Sequence, residues 1–505
     1  MDFKGLLVTE NILDDSEVMK VYKYLNGGIK SDKWGIFASN GTVWSEIKMV
    51  QEENEKPKED TNANDVNIKD YGKLYESDNV EYALEEVKNQ ANDNEKRANL
   101  TPDKLILSDA NGKEYRITIS TDGVLQATPT SVTPPPGFPG VTFEGESPYR
   151  GEFLVGVHAQ QYSGKHFVFS LNHKGHLLRY KEVPDYAIDF KKTITKSAKV
   201  RYTYQQRIDP GNSWGHIEAL GYNFAKFIVM NEEWEIIDTV TLKAHGNVPE
   251  GHPVDCHESL IIDDGHYILT AYHSRVIPNY NPDGSGAKII QGVVQEIKDG
   301  KVLFHWESGD HLHTLADTYQ DNHYASSKYQ EYFHLNAVWI DHRDNNLIIS
   351  PRNLNALYKL NRKTGEIMWI LGGKRDMFNL SESQKFSRQH APVLLEDGSI
   401  LIFNNGVDKR YSSIMEIKLD ENKKQVVKFK EHKWHKDDGN VNYSPAMGNV
   451  NKLFANKEIY AICWGVATNN PHYWCEEIDF EKGKSLCRFK VNNGHDIYRV
   501  HRYLE

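Results

Sequence analysis

The chain has 505 residues and a formal net charge of -11 with a pI near 6.1, which excludes the broadly basic face that phosphate-backbone binding requires, so no nucleic-acid partner is expected. Its length exceeds one ordinary core and its aromatic content of 11% fits stacked sheets, so a large, mainly β protein of more than one domain is expected. The four cysteines, Cys256, Cys463, Cys475 and Cys487, show neither C-x-x-C pairing nor metal-ligand spacing, so neither a disulfide framework nor a metal is predicted, and no cofactor is implied.

The N-terminal stretch MDFKGLLVTENILDDSE is acidic where a secretory signal is basic, and its apolar run is too short for a signal core, so no signal peptide is read there. No run is long and apolar enough for membrane insertion. Residues 1–50 carry short apolar runs and an Asn40-Gly41 turn before TVWSEIK, which predicts a small β-rich module with a hairpin. Within 51–100, a polar linker (51–67) unable to bury a core leads into a predicted helix at 79–96, where Val80, Ala83, Leu84 and Val87 form one narrow apolar stripe. That stripe suits a partner helix, and with it a homo-oligomer. Asn26-Gly27-Gly28-Ile29-Lys30-Ser31 lacks the spacing of a phosphate loop, so nucleotide use has no support. Residues 101–128 predict three short strands joined at Asn111-Gly112 and Asp122-Gly123. PTSVTPPPGFPG at 129–140 is a Pro-rich linker that neither a helix nor a central strand accommodates.

From 141 to 505 one phrase recurs. Cys256-His257-Glu258-Ser259-Leu260, Phe333-His334-Leu335-Asn336-Ala337 and Gln389-His390-Ala391-Pro392-Val393 each place a histidine before an apolar strand, an acidic Gly or Asn turn and a second apolar strand. Radial repetition of such units gives a β-propeller, whose innermost strands meet at a central channel, so His257, His334 and His390 are expected to converge. His334 and Asn336 lie two apart, which on a strand places both on one face. Cys256 and His257 are adjacent, which on a strand sets them on opposite faces and disfavours a cysteine-histidine nucleophilic pair. Asp310-His311-Leu312-His313 has metal-like spacing but no third ligand, and is read as a loop or blade edge. Tyr202, Tyr204, Trp214, Trp464 and Trp474 are candidates for a channel mouth that stacks a flat phenol, or for blade packing. Asp263-Asp264-Gly265 and Glu396-Asp397-Gly398 are read as hairpin turns with solvated charges.

The 101–140 segment resembles the adaptor modules that carry heads on bacteriophage tail and fibre proteins. From about 145 onward, DCHESLIIDDGHYILTAYHSR, FHLNAVWIDHRDNNLIISPRNLNALYKLNRKTGEIMWILGG and FSRQHAPVLLEDGSILIFNNG resemble signatures of the bacterial aryl sulfotransferase family. This second resemblance implies a six-bladed β-propeller that moves a sulfuryl group from an aryl sulfate to a phenol without a nucleotide donor. The implied fold is thus mainly β: a six-bladed C-terminal propeller, a small β-rich and helical N-terminal arm, and a Pro-rich linker between them. It further implies His390 as the nucleophile that becomes a sulfohistidine, Arg352 and Asn336 as binders of sulfuryl oxygens, and His257 and His334 as the groups facing the bridging oxygen. On the residues alone, Arg352 equally suits a carboxylate between blades, and Asn336 a turn. The combined expectation is a virion-associated protein bound to other virion proteins through its arm. Its pocket would hold an aryl sulfate and a phenol, or an anionic host-surface ligand. The alternatives are a free-standing bacterial enzyme of the cell envelope and a non-catalytic structural or receptor-binding propeller.

Overall fold

The computed structural model describes residues 131–158, 164–209, 224–435, 439, 441–466, 475–492 and 496–505, together with six strands N-terminal to them. The chain divides into two units, Met1–Thr133 and Pro134–Glu505. In the first unit Trp34–Ser39, Trp44–Met49 and Asn67–Asp70 form one antiparallel sheet, and Leu105–Ser108, Glu114–Ile119 and Leu125–Pro129 form another. The predicted Asn-Gly and Asp-Gly turns fall between paired strands. The turn residues themselves and the helix expected at 79–96 lie outside the described residues.

The second unit is a six-bladed β-propeller. Blade 1 runs outward from the C-terminal strand Asp496–Leu504 through Gly151–His158 and His166–Asn172 to Leu177–Val183, and blade 2 comprises Ala187–Ile194, Val200–Arg207, Phe224–Met230 and Ile236–Val240. Blade 3 is Ser259–Asp263, His266–Ile277, Ala287–Lys298 and Lys301–Glu307, and blade 4 is Leu335–Ile340, Leu347–Pro351, Ala356–Leu360 and Ile367–Gly372. Blade 5 is His390–Leu394, Ser399–Asn404, Ser413–Asp420 and Gln425–His432, and blade 6 is Asn449–Lys452, Ile459–Cys463, Cys475–Asp479 and Lys484–Val491, with Val141–Gly145 added at its outer edge. The ring is therefore closed twice, once at the channel by the C-terminal strand and once at the rim by residues 141–145. Arg502 on the closing strand pairs with Glu477 of blade 6 at 3.1 Å, both side chains wholly buried, and Ser147 donates to the same carboxylate at 2.5 Å.

Central strands such as LIISP and ALYKL are buried on both faces because each blade is covered by a neighbour on either side, so apolar residues do not alternate with solvated ones, and the one charge, Lys359, is paired with Asp341 at 2.8 Å. An apolar cluster fills each seam. Leu154, Phe190 and Trp234 lie between blades 1 and 2, Phe227 and Leu269 between 2 and 3, and Ile290, Phe333 and Tyr358 between 3 and 4. Trp369 meets Phe378 at 5.6 Å in the 4–5 seam, Phe403 meets Trp464 at 5.9 Å in the 5–6 seam, and Phe153 meets Phe489 at 5.2 Å in the 6–1 seam. Tyr202, Tyr204 and Trp464 thus pack seams and do not line a channel mouth; Trp214 and Trp474 lie outside the described residues. The Pro-rich segment also contributes, since the Phe138 ring lies 5.3 Å from Phe167, tilted, and 5.0 Å from Phe169, edge-on. The turn at Asp264 is not simply solvated: Arg201 grips it with two bonds of 2.8 Å and Lys199 with a third of 2.8 Å, which lowers its carboxyl to about 2.

Candidate active site

Each of the three histidines opens the inner strand of its blade, in blades 3, 4 and 5, as the repeated phrase predicts. His257 lies in the bend between Val254–Asp255 and Ser259–Asp263. His334 has φ +54 and precedes its strand, which begins at Leu335. The same-face argument for His334 and Asn336 therefore does not apply, because strand alternation starts one residue too late. What fixes His334 is its own carbonyl, which accepts from Arg352 N at 2.8 Å, while Phe333 O accepts from Asn353 N at 3.1 Å. His390 starts the blade 5 strand, and the buried Gln389 beside it donates to Ala356 O at 2.8 Å and Ser350 Oγ at 3.1 Å, binding this strand to blade 4.

The three imidazoles do converge and are all buried. Ring centroids of His257 and His334 are 4.8 Å apart, and those of His257 and His390 5.9 Å. Hydrogen-bond partners fix the tautomers. His390 Nδ1 lies 2.6 Å from Gly448 O and must carry hydrogen, so Nε2 holds a lone pair and accepts from the Tyr498 hydroxyl at 2.8 Å. Gly448 is at φ +91, and a Cβ there would meet Phe403 at 2.5 Å and Cys463 O at 2.7 Å, so only glycine brings this carbonyl under the ring. Burial first, then the nearby Arg499 charge, push His390 well below the ordinary 6.5, leaving a neutral imidazole at neutral pH.

His257 and His334 form a different arrangement. His257 Nδ1 donates to Asp255 at 2.5 Å, His334 Nδ1 donates to Glu331, and the two Nε2 atoms face each other at 3.2 Å. With both Nδ1 hydrogens committed to carboxylates, a hydrogen bond between the two Nε2 atoms requires one extra proton, so the pair is a one-proton store backed by two anions. Burial holds His334 below its ordinary value against the opposing pull of Glu331. Cys256 and His257 are not on a strand: the bend brings Sγ to 4.0 Å from Nδ1. No nucleophilic pair results, since Asp255 already occupies Nδ1 and Cys256 packs in the 2–3 seam. Asp255, Cys256 and His257 offer donor atoms within 4.8 Å of one another, though the Asp255–His257 hydrogen bond joins two of them. The H-x-H segment lies in the connection after the outer blade 3 strand, between a 3-10 turn at Ser308–Asp310 and a short helix at His313–Asp317, with His311 stacked on Trp306 at 4.9 Å.

Among the described residues Arg352 holds no carboxylate. Its guanidinium donates to Pro445 O at 3.0 Å and Asn353 Oδ1 at 3.3 Å, and burial, with Arg388 beside it, lowers it to about 10, still charged at neutral pH. The fully buried Asn336 donates one amide N–H to Gln389 O at 2.8 Å, and its Oδ1 has no hydrogen-bond partner. Its side-chain N donates to no second acceptor among the described residues.

Sequence reasoning missed Tyr498, Arg499, Asp255, Glu331 and Arg388. Arg499 lies wholly buried on the closing strand and donates to Asp189 Oδ1 of blade 2 at 3.1 Å, Glu258 Oε2 at the start of blade 3 at 2.7 Å, and Asn336 O of blade 4 at 2.7 Å. Lys191 completes the network through Asp189, at 2.6 Å, and Glu258. One guanidinium thereby ties four blades beneath the imidazoles. The Tyr-Arg pair lies in DIYRVHRYL, which carries no histidine phrase; the acidic partners Asp255 and Glu331 stood two and three residues before the histidines and were legible there.

The sequence profile described as Arylsulfotransferase (ASST) matches residues 227–499. The chain belongs to the arylsulfotransferase family. Among solved structures, it is similar to a Bacteroides caccae protein of unknown function (11% identity, 70% of this chain and 100% of that one, TM-score 0.35). It is also similar to the periplasmic gluconolactonase PpgL of Pseudomonas aeruginosa (11%, 70% and 99%, TM-score 0.34) and to AztD of Citrobacter koseri (11%, 70% and 98%, TM-score 0.32). No curated protein matches the chain.

Proposed function

We propose that the propeller transfers a sulfuryl group from an aryl sulfate to a phenol through a sulfohistidine at His390. The observation that carries this reading is a neutral, buried imidazole whose Nε2 lone pair, among the described residues, accepts only from the Tyr498 hydroxyl while Nδ1–H is held by Gly448 O. In the first half-reaction the Nε2 lone pair attacks sulfur, the N–S bond forms and the S–O(aryl) bond breaks. The leaving aryl oxide carries off the electron pair and takes the proton shared by His257 and His334. In the second, the acceptor phenol returns a proton to that pair, its oxygen attacks sulfur, and the N–S electron pair goes back to Nε2. Sulfuryl transfer has a loose transition state, so positioning and charge dominate, and Arg352 and the spare N–H of Asn336 supply the donors. Once sulfonated, the His390 ring is cationic, and Gly448 O accepts from its Nδ1–H throughout.

Initial rates of nitrophenolate release from 4-nitrophenyl sulfate at several phenol concentrations test the scheme. Parallel double-reciprocal lines are expected of a ping-pong exchange, and converging lines would exclude a covalent intermediate.

In the resting site Tyr498 covers the His390 lone pair, so a sulfuryl group must displace it, and the hydroxyl then turns to a sulfuryl oxygen. Tyr498→Phe is expected to lower kcat by about tenfold or more with KM little changed, the value of one charge-assisted hydrogen bond formed in the transition state. An unchanged kcat in the steady state would remove Tyr498 from the chemistry.

The pH profile follows from the depressed His390. A nucleophile lowered below 6.5 stays neutral as pH falls through 6.5, so the acid limb of kcat/KM assigned to His390 is expected below that value. An acid limb centred at or above 6.5, measured with 4-nitrophenyl sulfate, contradicts the assignment.

The N-terminal unit is proposed to be the attachment arm of a phage tail or fibre protein. Its separation as a compact unit with two small sheets supports this reading, and detection of the chain in purified particles tests it.

A further inference from the structure

Beside Arg352 stands a second guanidinium that the transfer scheme does not use. Arg388 lies two residues before His390 in a left-handed conformation, φ +53, with its backbone N–H held by Asn355 Oδ1 at 2.9 Å. Its Nη1 donates to Asn353 Oδ1 and to Gln320 Oε1, the latter at 3.3 Å, and its Nη2 to Tyr319 O at 3.1 Å. Arg352 uses the same Asn353 oxygen. Two half-buried guanidinium groups therefore share one neutral acceptor, and among the described residues neither is in ion-pair contact with a carboxylate. The nearest anions are otherwise engaged or distant: Glu331 is bound to His334, and Asp408 acts on Arg388 only at longer range. These three hydrogen bonds leave two of the five N–H donors of Arg388 without a partner among the described residues.

Position separates the two arginines. Arg352 contacts the turn that carries His334, and its fork with Asn336 accounts for the three oxygens of one sulfuryl group. Arg388 lies toward the rim, where Tyr319 is 45% exposed and the exposed Lys374 ammonium sits 5.2 Å from its ring centroid. Arg388, through the Tyr319 carbonyl, and Lys374, over the Tyr319 ring, thus place two cations at one exposed tyrosine.

We propose that Arg388 binds a second anionic group on the substrate, so that the site selects phenols and aryl sulfates bearing a carboxylate or similar anion on the ring side chain. A planar fork beside an exposed tyrosine suits bidentate capture of a carboxylate while the ring lies against Tyr319. This inference rests on the proposed sulfuryl transfer for its substrate class, but its binding can be read without turnover.

The test compares 4-hydroxyphenylacetate with its neutral amide. Binding of each to the full chain is measured by calorimetry, and kcat/KM of each as acceptor from 4-nitrophenyl sulfate. Wild type is expected to favour the carboxylate by about tenfold or more, the value of a charge-assisted bidentate pair. In Arg388→Gln that ratio falls to near one, and in Arg388→Lys, which keeps the charge but not the fork, it is intermediate. Matching melting temperatures confirm that the variants fold. A wild-type ratio near one, or a ratio unchanged in Arg388→Gln, overturns the proposal. If the binding preference depends on Arg388 but no acceptor is sulfonated, the anion site stands and the transfer reading fails.

Discussion

His390→Ala is expected to lower nitrophenolate release from 4-nitrophenyl sulfate by at least about 10³-fold, because no other lone pair is placed to form the N–S bond. His257 and His334 cannot substitute: their Nδ1 atoms are held by Asp255 and Glu331, and their Nε2 atoms face each other at 3.2 Å. The substitution leaves Gly448 O and the Tyr498 hydroxyl without their shared partner, at a cost of about 1–3 kcal/mol each. His390→Asn, which restores a donor toward Gly448, separates that cost from the chemistry. Both variants should be inactive, whereas only the alanine form should melt clearly lower. Residual release within tenfold of wild type in either variant would show that the nucleophile is another group or water.

The second large effect is on stability. Arg499→Met should destabilise the propeller by about 3–5 kcal/mol, the usual cost of breaking a buried ion network by removing one partner. The guanidinium bridges Asp189, Glu258 and Asn336 O, and without it, among the described residues, only Lys191 and His501 contact Asp189, and only Lys191 contacts Glu258. Acid sensitivity should change with it. Burial raises the Asp189 carboxyl, but Lys191, Arg499 and His501 outweigh burial and hold it well below 3.8. A carboxyl lowered on folding contributes stability above its unfolded value, and loses it as pH falls through the folded one. Removing Arg499 raises the folded value, so the acid-unfolding midpoint should move up in pH. Urea titrations at pH 7 and along an acid series measure both, and a loss under about 1 kcal/mol would mean that the network does not hold the ring together.

The histidines were readable because each heads the same strand-turn-strand phrase, and the strands and turns after them are local properties of apolar runs and Asp or Asn turns. Their exact setting was not. His334 is turned by a left-handed backbone that the phrase FHLN does not announce, and the bend at Cys256 sets sulfur beside imidazole where alternation predicted opposite faces. Tyr498 and Arg499 reach the site only because the C-terminal strand closes blade 1 from inside, more than 100 residues from His390. Such long-range placement leaves no mark on local spacing. The aromatic residues left two readings open, a stacking pocket or blade packing, and the structure selects the second for Tyr202, Tyr204 and Trp464, which fill seams, where a propeller buries its largest rings.

The most direct test of a sulfohistidine is mass analysis of peptides after brief incubation of the protein with 4-nitrophenyl sulfate and no acceptor. The account predicts one sulfuryl adduct, on the peptide containing His390, that disappears when phenol is added and is absent from His390→Ala. Nitrophenolate release with no adduct at His390, or an adduct that phenol does not discharge, would contradict it.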